Sequence, residues 1–257
     1  MLIADITKDE YLALDRERVV PIIPLGSIEQ HGPHLPMGTD TQQCEAILAH
    51  AEAAEPNLML VTPVLWIGNS VNHAGFGAAL YLDPTRYATL LVDIGKSFIE
   101  SGFRHLLFFN GHGANQGPLV TALHQLEYDY IRTRDDLQIA ATSWWSLVPE
   151  VITEVRDSPA GAAGHACEIE TSLMLATHPD LVHMDRVVEG ALDHPHPEWA
   201  SYDFTGQNRV GFVEMFHRGA PDGIAGLPRL GTSAKGTAII DRVSSELTRF
   251  VREFSTW

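Results

Sequence analysis

The stretch VVPIIPLGSIEQHGPHLPMGTD, residues 19–40, carries the pattern that decides the fold. It opens with seven mainly β-branched and apolar residues, Val19 to Leu25, and this length and composition predict a fully buried strand. A glycine–serine pair closes the strand. A helix is predicted from Thr41 to Ala54, with Asp40 and Gln43 spaced like the two ends of a capping box.

The same alternation of short apolar runs and longer helical stretches continues along the chain. A further helix is predicted between Asp83 and Gly102. Asp83 is its N-cap, Pro84 is its first residue, and Gly102 ends it. Further strands are predicted at Leu58–Val61, His105–Phe109 and Leu137–Ser143, and further helices at Pro118–Ile131, Glu168–Thr177 and Gly236–Phe254. Strands that alternate with helices predict an α/β fold with a mostly parallel sheet.

Composition places the chain among globular proteins and excludes several partners. Its 257 residues are near the upper limit of one hydrophobic core, so a single domain over residues 1–257 is predicted. The formal net charge of −16 argues against nucleic acid or an anionic membrane as partner, because both need a basic surface. No apolar run approaches the roughly 18 residues of a membrane span. The acidic first residues do not resemble a signal peptide, and two cysteines make no disulfide framework, so the cytoplasm is expected.

The segment 187–233 is rich in Gly, Pro and His and has little periodicity. A long irregular segment in a compact domain is usually a functional loop or an oligomer contact. Otherwise it contains elements that its pattern does not reveal. The sequence leaves these three interpretations open.

Polar and aromatic side chains follow three of the predicted strands. Glu29 and His31 follow the first strand, and His112 and Trp145 follow two later ones. If the strands are parallel, all four residues emerge at the carboxyl edge of the sheet. Open α/β sheets place their functional sites at this edge.

Glu29, His31 and Asp40 form the first candidate group of metal ligands. Residues two apart in an extended segment project to the same side, and the glycines and prolines that follow turn Asp40 back toward them. Carboxylate and imidazole donors together suit Zn²⁺, Mn²⁺ or Fe²⁺. The alternative makes Asp40 a helix N-cap and Glu29 a solvated loop residue. This alternative is favoured when each residue is considered alone. It is disfavoured when the three residues are considered together on one turn.

Two further segments supply candidates. His112 lies between two glycines that let the backbone turn sharply at the strand end, although a structural histidine is the alternative. In GHACEIETS, residues 164–172, a helical start would place His165 and Glu168 on one face, a carboxylate ligand beside a proton-transfer imidazole. The alternative is a charged first turn that complements the helix dipole, and it is favoured for Glu170.

The motifs resemble the creatininase (creatinine amidohydrolase) family. LGSIEQHGPHLPMGTD, GFRHLLFFNGHGANQG and GHACEIETSLMLATHPDLV occur in the family's order and at similar separations, and GIAGLPRLGTSAKG resembles its C-terminal segment more loosely. The resemblance implies a three-layer α/β/α sandwich with a mostly parallel central sheet and hydrolysis of a C–N bond. It also implies two divalent metal ions per chain, with Zn²⁺ expected first and Mn²⁺ or Fe²⁺ as alternatives, in a homo-oligomer that is often a hexamer.

The resemblance assigns roles to individual residues. Glu29 and His112 would hold one metal ion, His31 would hold the other, and Asp40 would bridge the two. Creatininase takes its last carboxylate ligand two residues after the motif histidine, and this position is Ala114 here.

Many relatives instead use the glutamate of a HAGE-type motif, so Glu168 is expected to be the fifth ligand. His165 is expected to give a proton to the leaving nitrogen after a metal-bridging hydroxide attacks an amide carbonyl. Cys167 replaces the motif glycine and is expected to fill space in the core rather than to act as a nucleophile.

Departures from the family pattern argue against creatinine as the substrate. Trp145 resembles one of two tryptophans that hold creatinine in creatininase, but the position of the other is Gly161. The family's FPGT stretch is FGAA at residues 76–79 here, beside His73, so this wall of the substrate pocket differs. We expect a small-molecule amide or cyclic amide other than creatinine. Alternatives are formamide deformylation, cleavage of a peptide-derived amide and, from another class, a non-catalytic metal-binding assembly protein.

Overall fold

The computed structural model describes residues 1–192 and 194–257. Its strands are β1 Val20–Leu25, β2 Ile28–Glu29, β3 Met59–Val61, β4 Ala79–Leu80, β5 His105–Asn110, β6 Gln138–Ser143, β7 Ala163–His165 and β8 Ala225–Gly226. Its α-helices are α1 Lys8–Leu12, α2 Thr39–Ala54, α3 Pro84–Glu100, α4 Gln116–Asp129, α5 Trp144–Leu147, α6 Pro149–Val155, α7 Glu168–Thr177, α8 Phe216–Gly219 and α9 Ser233–Phe254.

Four parallel strands form the central sheet, in the order β3-β1-β5-β6. Ile22 of β1 lies between Val61 of β3 and Leu107 of β5. The two central strands, β1 and β5, are buried along their whole length, as their apolar runs predict. Two small antiparallel pairs, β2 with β4 and β7 with β8, lie outside this sheet.

Helices cover both faces of the sheet. Successive side chains of a strand point to opposite faces, so β1 contributes to two cores. Val20 and Ile22 pack with α2, α7 and α9, whereas Ile23 and Leu25 pack with α3 and α4. The fold is therefore the three-layer α/β/α sandwich with a mostly parallel sheet, and the predicted fold class is confirmed.

Helix α3 begins and ends where the sequence predicts. The Asp83 carboxylate accepts the backbone N–H groups of Thr85 at 3.0 Å and Arg86 at 3.3 Å. After the helix, Gly102 has a φ of 93°, a left-handed value that glycine adopts without strain.

The irregular segment 187–233 contains elements that its sequence pattern does not reveal. Helix α8 and strand β8 both lie in it, and β8 pairs with β7. Several of its described residues after position 193 line a pocket at the carboxyl edge of the sheet. Within the described ranges, no helix combines the length and the hydropathy needed to cross a membrane.

Candidate metal centre

Glu29 and His31 lie on the turn that follows β1. Both side chains are completely buried, and the pairing of β2 with β4 holds Glu29 in place. The His31 ring is oriented by its own segment, because its Nδ1–H donates to the carbonyl oxygen of Glu29 at 3.0 Å. In the neutral ring Nε2 is then unprotonated, and it lies 3.2 Å from Oδ1 of Asp40.

Asp40 reaches the same place from the first turn of α2. Its carboxylate lies between two histidines, with Oδ1 3.2 Å from Nε2 of His31 and Oδ2 3.1 Å from Nδ1 of His112. The predicted capping box of Asp40 and Gln43 is wrong, because α2 begins at Thr39 and no side chain caps it. The Asp40 carboxylate is thus inside the helix and directed at the cluster.

The loop after β5 presents His112. Asn110 closes this loop, since its Nδ2 donates to the carbonyl oxygen of His112 at 2.8 Å and its Oδ1 accepts the His112 N–H at 3.2 Å. A side chain at Gly111 would collide with Sγ of Cys44, so only glycine lets the loop pack this closely. Nε2 of His112 lies 3.3 Å from Oε2 of Glu29.

Glu170, and not Glu168, completes the cluster. Helix α7 begins at Glu168, so side chains two positions apart leave it about 200° apart and face opposite sides. Oε1 of Glu170 lies 3.8 Å from Nε2 of His31, and its other oxygen accepts the N–H of Ala166. The sequence predicts Glu168 as the fifth ligand, but the structure places the Glu170 carboxylate beside His31 instead.

Glu168 has other partners. Its buried carboxylate accepts the N–H groups of Asp157 at 2.9 Å and Ser158 at 2.8 Å and pairs with the Lys235 ammonium group of α9. Burial alone raises the pKa of Glu168, but these donors outweigh it and hold the pKa below its usual value. The predicted helical face shared by His165 and Glu168 is also wrong, because His165 belongs to β7.

His165 and His73 border the cluster. Nε2–H of His165 donates to the carbonyl oxygen of Gln30 at 2.8 Å, and its Nδ1 lies 3.8 Å from Oε1 of Glu29. The side-chain amide of Gln30 donates to Nδ1 of His73 at 3.0 Å. Burial lowers the pKa of both imidazoles well below the usual range. Sequence reasoning missed the part of Gln30 in orienting these rings, although Gln30 lies between two predicted ligands.

The donor atoms form three overlapping groups, each within 4.8 Å: Glu29, Asp40 and His112; His31, Asp40 and Glu170; Glu29, His31 and His165. Imidazole nitrogens approach both oxygens of Glu29 and Oδ2 of Asp40, but none of these buried oxygens has a partner with hydrogen-bond geometry among the described residues. Buried carboxylate oxygens of this kind are costly unless a cation compensates them. The residues present therefore fit divalent cations, and Asp40 belongs to two of the groups.

The buried carboxylates and imidazoles shift one another's pKa. Burial raises the pKa of Glu29 to about 7. Burial lowers the pKa of His112, but the neighbouring Glu29 and Asp40 outweigh this effect and raise it to about 9. A divalent cation among these groups would favour ionised carboxylates and neutral imidazoles, the forms that donate a lone pair to a metal.

A pocket of about 810 Å³ opens over the cluster. Trp145 lines it and packs against Phe204 with ring centroids 5.1 Å apart, and His73 stacks on Phe216 at 4.9 Å. The structure thus places both predicted substrate-binding residues in the pocket. Phe204 and Phe216 were missed, because they come from segment 187–233, which carries no periodic signal.

Comparisons with known proteins agree with this fold. The sequence model of the Creatininase family, creatinine amidohydrolase, matches residues 4–251. Creatinine amidohydrolase of Pseudomonas putida is 33% identical over 219 residues, which cover 79% of this chain and 80% of that protein. The mycofactocin precursor peptide peptidase of Mycolicibacterium smegmatis is 30% identical over 215 residues, covering 82% and 72%. A solved creatininase mutant of the Zn-Zn type has a TM-score of 0.81 at 26% identity, covering 98% of this chain and 97% of that one.

The three-layer fold and the cluster of carboxylates and imidazoles define a metal-dependent amidohydrolase. The chain belongs to the creatininase family, as its linked motifs predict. Ala114 lines the pocket, but its methyl side chain has no atom that could bind a metal ion. The carboxylate of Glu170 in α7 joins those of Glu29 and Asp40 in the donor cluster.

Proposed function

We propose that this chain hydrolyses the C–N bond of an amide or cyclic amide other than creatinine, and that its donor cluster would hold two divalent cations. Asp40 carries the proposal, because its two oxygens face two separate donor sets. Glu29 and His112 complete the set at Oδ2, and His31 and Glu170 complete the set at Oδ1. Zn²⁺ is the proposed metal, with Mn²⁺ or Fe²⁺ as alternatives, because each set mixes carboxylate oxygen with imidazole nitrogen.

His165 is the proposed proton carrier. Divalent cations in the two sets would polarise an amide carbonyl and make an attacking water molecule more acidic. Because Nε2–H of His165 is bound to the Gln30 carbonyl oxygen, Nδ1 of the neutral ring is unprotonated and borders the cluster. We assign to Nδ1 the acceptance of a proton from the water and its donation to the leaving nitrogen.

Trp145 and His73 are the proposed substrate-binding residues. Trp145 is backed by Phe204, and His73 lies between the cluster and Phe216. Aromatic and imidazole rings beside the donor sets would hold a planar amide in position and exclude water from it.

Two alternative activities and one alternative class remain distinguishable. Cleavage of a peptide-derived amide is supported by the similarity to the mycofactocin precursor peptide peptidase. Deformylation of a phosphorylated precursor is disfavoured, because no Lys or Arg lines the described part of the pocket. A non-catalytic metal-binding protein would not require a pocket of about 810 Å³ directly over the donor sets.

The shared carboxylate provides the test. Asp40→Ala should abolish metal binding and amide hydrolysis together, and Glu45→Ala, on the exposed side of the same helix, should retain both. The measurements are elemental analysis of protein purified without added metal and a screen of cyclic and linear amides. Full metal content and activity in Asp40→Ala would contradict the proposed centre. Bound metal in the wild type without turnover of any amide would favour a metal-binding protein.

A further inference from the structure

The pocket extends well beyond the catalytic residues. Its volume of about 810 Å³ lies in the range of roughly 300–1,000 Å³ that accommodates drug-sized ligands. The donor sets form its inner end, and much of its outer wall comes from residues 200–216. A small cyclic amide would occupy only the inner end.

The outer wall exposes large apolar side chains. Phe212 is 47% exposed, Val210 is 45% exposed and Val213 is fully exposed, and all three line the pocket. Val71, which follows β3, lines it as well and is 43% exposed. Neighbouring exposed apolar side chains usually mark a binding surface. Because this surface is continuous with the donor sets, a group attached to the cleaved amide is its natural ligand.

The outer wall offers no permanent positive charge to an anion. No Lys or Arg lines the pocket in residues 1–192 and 194–257. Its carboxylates have partners within the protein: Asp203 pairs with Arg156 at 2.8 Å, and Glu214 accepts the hydroxyl of Tyr202 at 2.7 Å. His194 of this wall already faces Glu214 at 3.1 Å. An anionic substituent would therefore lose hydration without gaining a counter-charge.

We propose that the substrate is an amide bearing an uncharged apolar or aromatic group, and that Phe212, Val210 and Val213 bind this group. The inference rests on the proposed amide hydrolysis, which identifies the bond that is cleaved. The outer wall selects the substituent that the amide carries. In this reaction one water is consumed: its oxygen joins the carbonyl carbon, the C–N bond breaks, and the leaving nitrogen takes a proton.

Three hydroxamates separate the outer wall from the metal centre, because each presents the same metal-binding head. The ligands are acetohydroxamate, 4-phenylbutanohydroxamate and glutaric acid monohydroxamate, and their Kd values are measured calorimetrically on the metal-loaded protein. We expect the phenyl ligand to bind at least about tenfold more tightly than acetohydroxamate, because its ring is buried against the apolar wall. The carboxylate ligand should bind no more tightly than acetohydroxamate.

Variants of the wall sharpen the test. Phe212→Ala should weaken the phenyl ligand at least about fivefold more than it weakens acetohydroxamate. Val213→Lys should tighten the carboxylate ligand several-fold and weaken the phenyl ligand. Val188→Lys is the control for the added charge, because Val188 is 41% exposed and does not line the pocket. Its Kd values should remain those of the wild type.

The outcomes distinguish this inference from the proposed function. Binding of acetohydroxamate without any advantage for the phenyl ligand would overturn the substrate class and leave the metal centre intact. Equal effects of Val213→Lys and Val188→Lys would overturn the assignment of the wall. Failure of acetohydroxamate to bind metal-loaded protein would instead count against the proposed metal centre.

Discussion

Glu168 and Glu170 lie two residues apart at the start of α7, and their carboxylates have different surroundings. Glu168 accepts backbone N–H groups and pairs with Lys235 of α9, whereas Glu170 faces His31 at 3.8 Å. One helical turn therefore carries both an anchoring carboxylate and a carboxylate of the donor cluster.

Glu170→Gln should lower bound metal from about two ions per chain to about one. The substitution removes a negative charge from the His31 and Asp40 donor set but keeps the size of the side chain. We expect amide hydrolysis to fall by about 100-fold or more, since losses of 10- to 100-fold are typical even for residues that only support a ligand. Elemental analysis and steady-state kinetics measure both effects.

Glu168→Gln is the matched comparison and should change the stability of the fold rather than the metal content. Metal content should stay near that of the wild type, while the free energy of unfolding falls by about 1–3 kcal/mol, because Lys235 loses a charged, buried partner. Urea denaturation of the metal-loaded protein measures this loss. Loss of metal in Glu168→Gln together with retention in Glu170→Gln would restore Glu168 as the ligand.

His165→Ala should lower kcat by about 10²- to 10⁴-fold, the usual contribution of a positioned acid or base. Metal content should remain near two ions per chain, and added imidazole should restore part of the rate. His165 also belongs to a donor group with Glu29 and His31. If the variant loses metal, His165 is a ligand and not the proton carrier.

Removal of metal should abolish activity reversibly. A chelator leaves the buried Glu29 and Asp40 carboxylates without a cation, so the protein should also unfold at a lower temperature, and added Zn²⁺ should restore both properties. Burial raises the pKa of the Cys167 thiol, which disfavours a reactive thiolate. Activity that survives chelation and is lost on thiol alkylation would point to a cysteine hydrolase instead.

The Asp203–Arg156 pair should contribute a pH-dependent part of the stability. Burial raises the pKa of Asp203, but hydrogen bonds from Thr205 and Arg156 outweigh it and hold the pKa below its usual value. A group whose pKa is lower in the folded than in the unfolded state stabilises the fold at pH values above its unfolded pKa, about 3.9 for aspartate. This stabilisation is lost as the pH falls through the folded-state pKa. The free energy of unfolding of the wild type should therefore exceed that of Asp203→Asn by about 1–3 kcal/mol at pH 7. This difference should shrink below about pH 4.

Denaturant unfolding at several pH values measures this difference. Asp180→Asn, at an exposed aspartate, is the control and should show no such change. A difference between wild type and Asp203→Asn that does not change with pH would show that the pair acts by packing alone.

Much of the fold followed from local pattern. The apolar runs of β1 and β5 marked the buried centre of the sheet, and the cap at Asp83 marked the start of α3. Glu29, His31, Asp40 and His112 were recognisable from their motifs, and the structure brings them together. The single domain, the cytoplasmic location and the hexameric assembly stay predictions.

The bounds of α7 were predicted correctly, but which of its glutamates faces the donor cluster could not be obtained in this way. The sequence pattern allowed a helix that includes His165, but Ala166 has a φ of 49°, which separates β7 from a helix that begins at Glu168. The direction in which α7 leaves this junction places Glu170 beside His31 and Glu168 beside Lys235. The aromatic wall from segment 187–233 was equally hidden, because no period marks Phe204 or Phe216.

The sequence by itself determined the order of strands and helices and the strand ends that carry donor residues. Apolar periodicity, caps and glycine turns are properties of neighbouring residues, so they can be read along the chain. Only the tertiary structure decided which glutamate faces His31 and which side chains enclose the pocket. These choices depend on contacts between distant residues, such as Lys235 with Glu168 and Phe204 with Trp145.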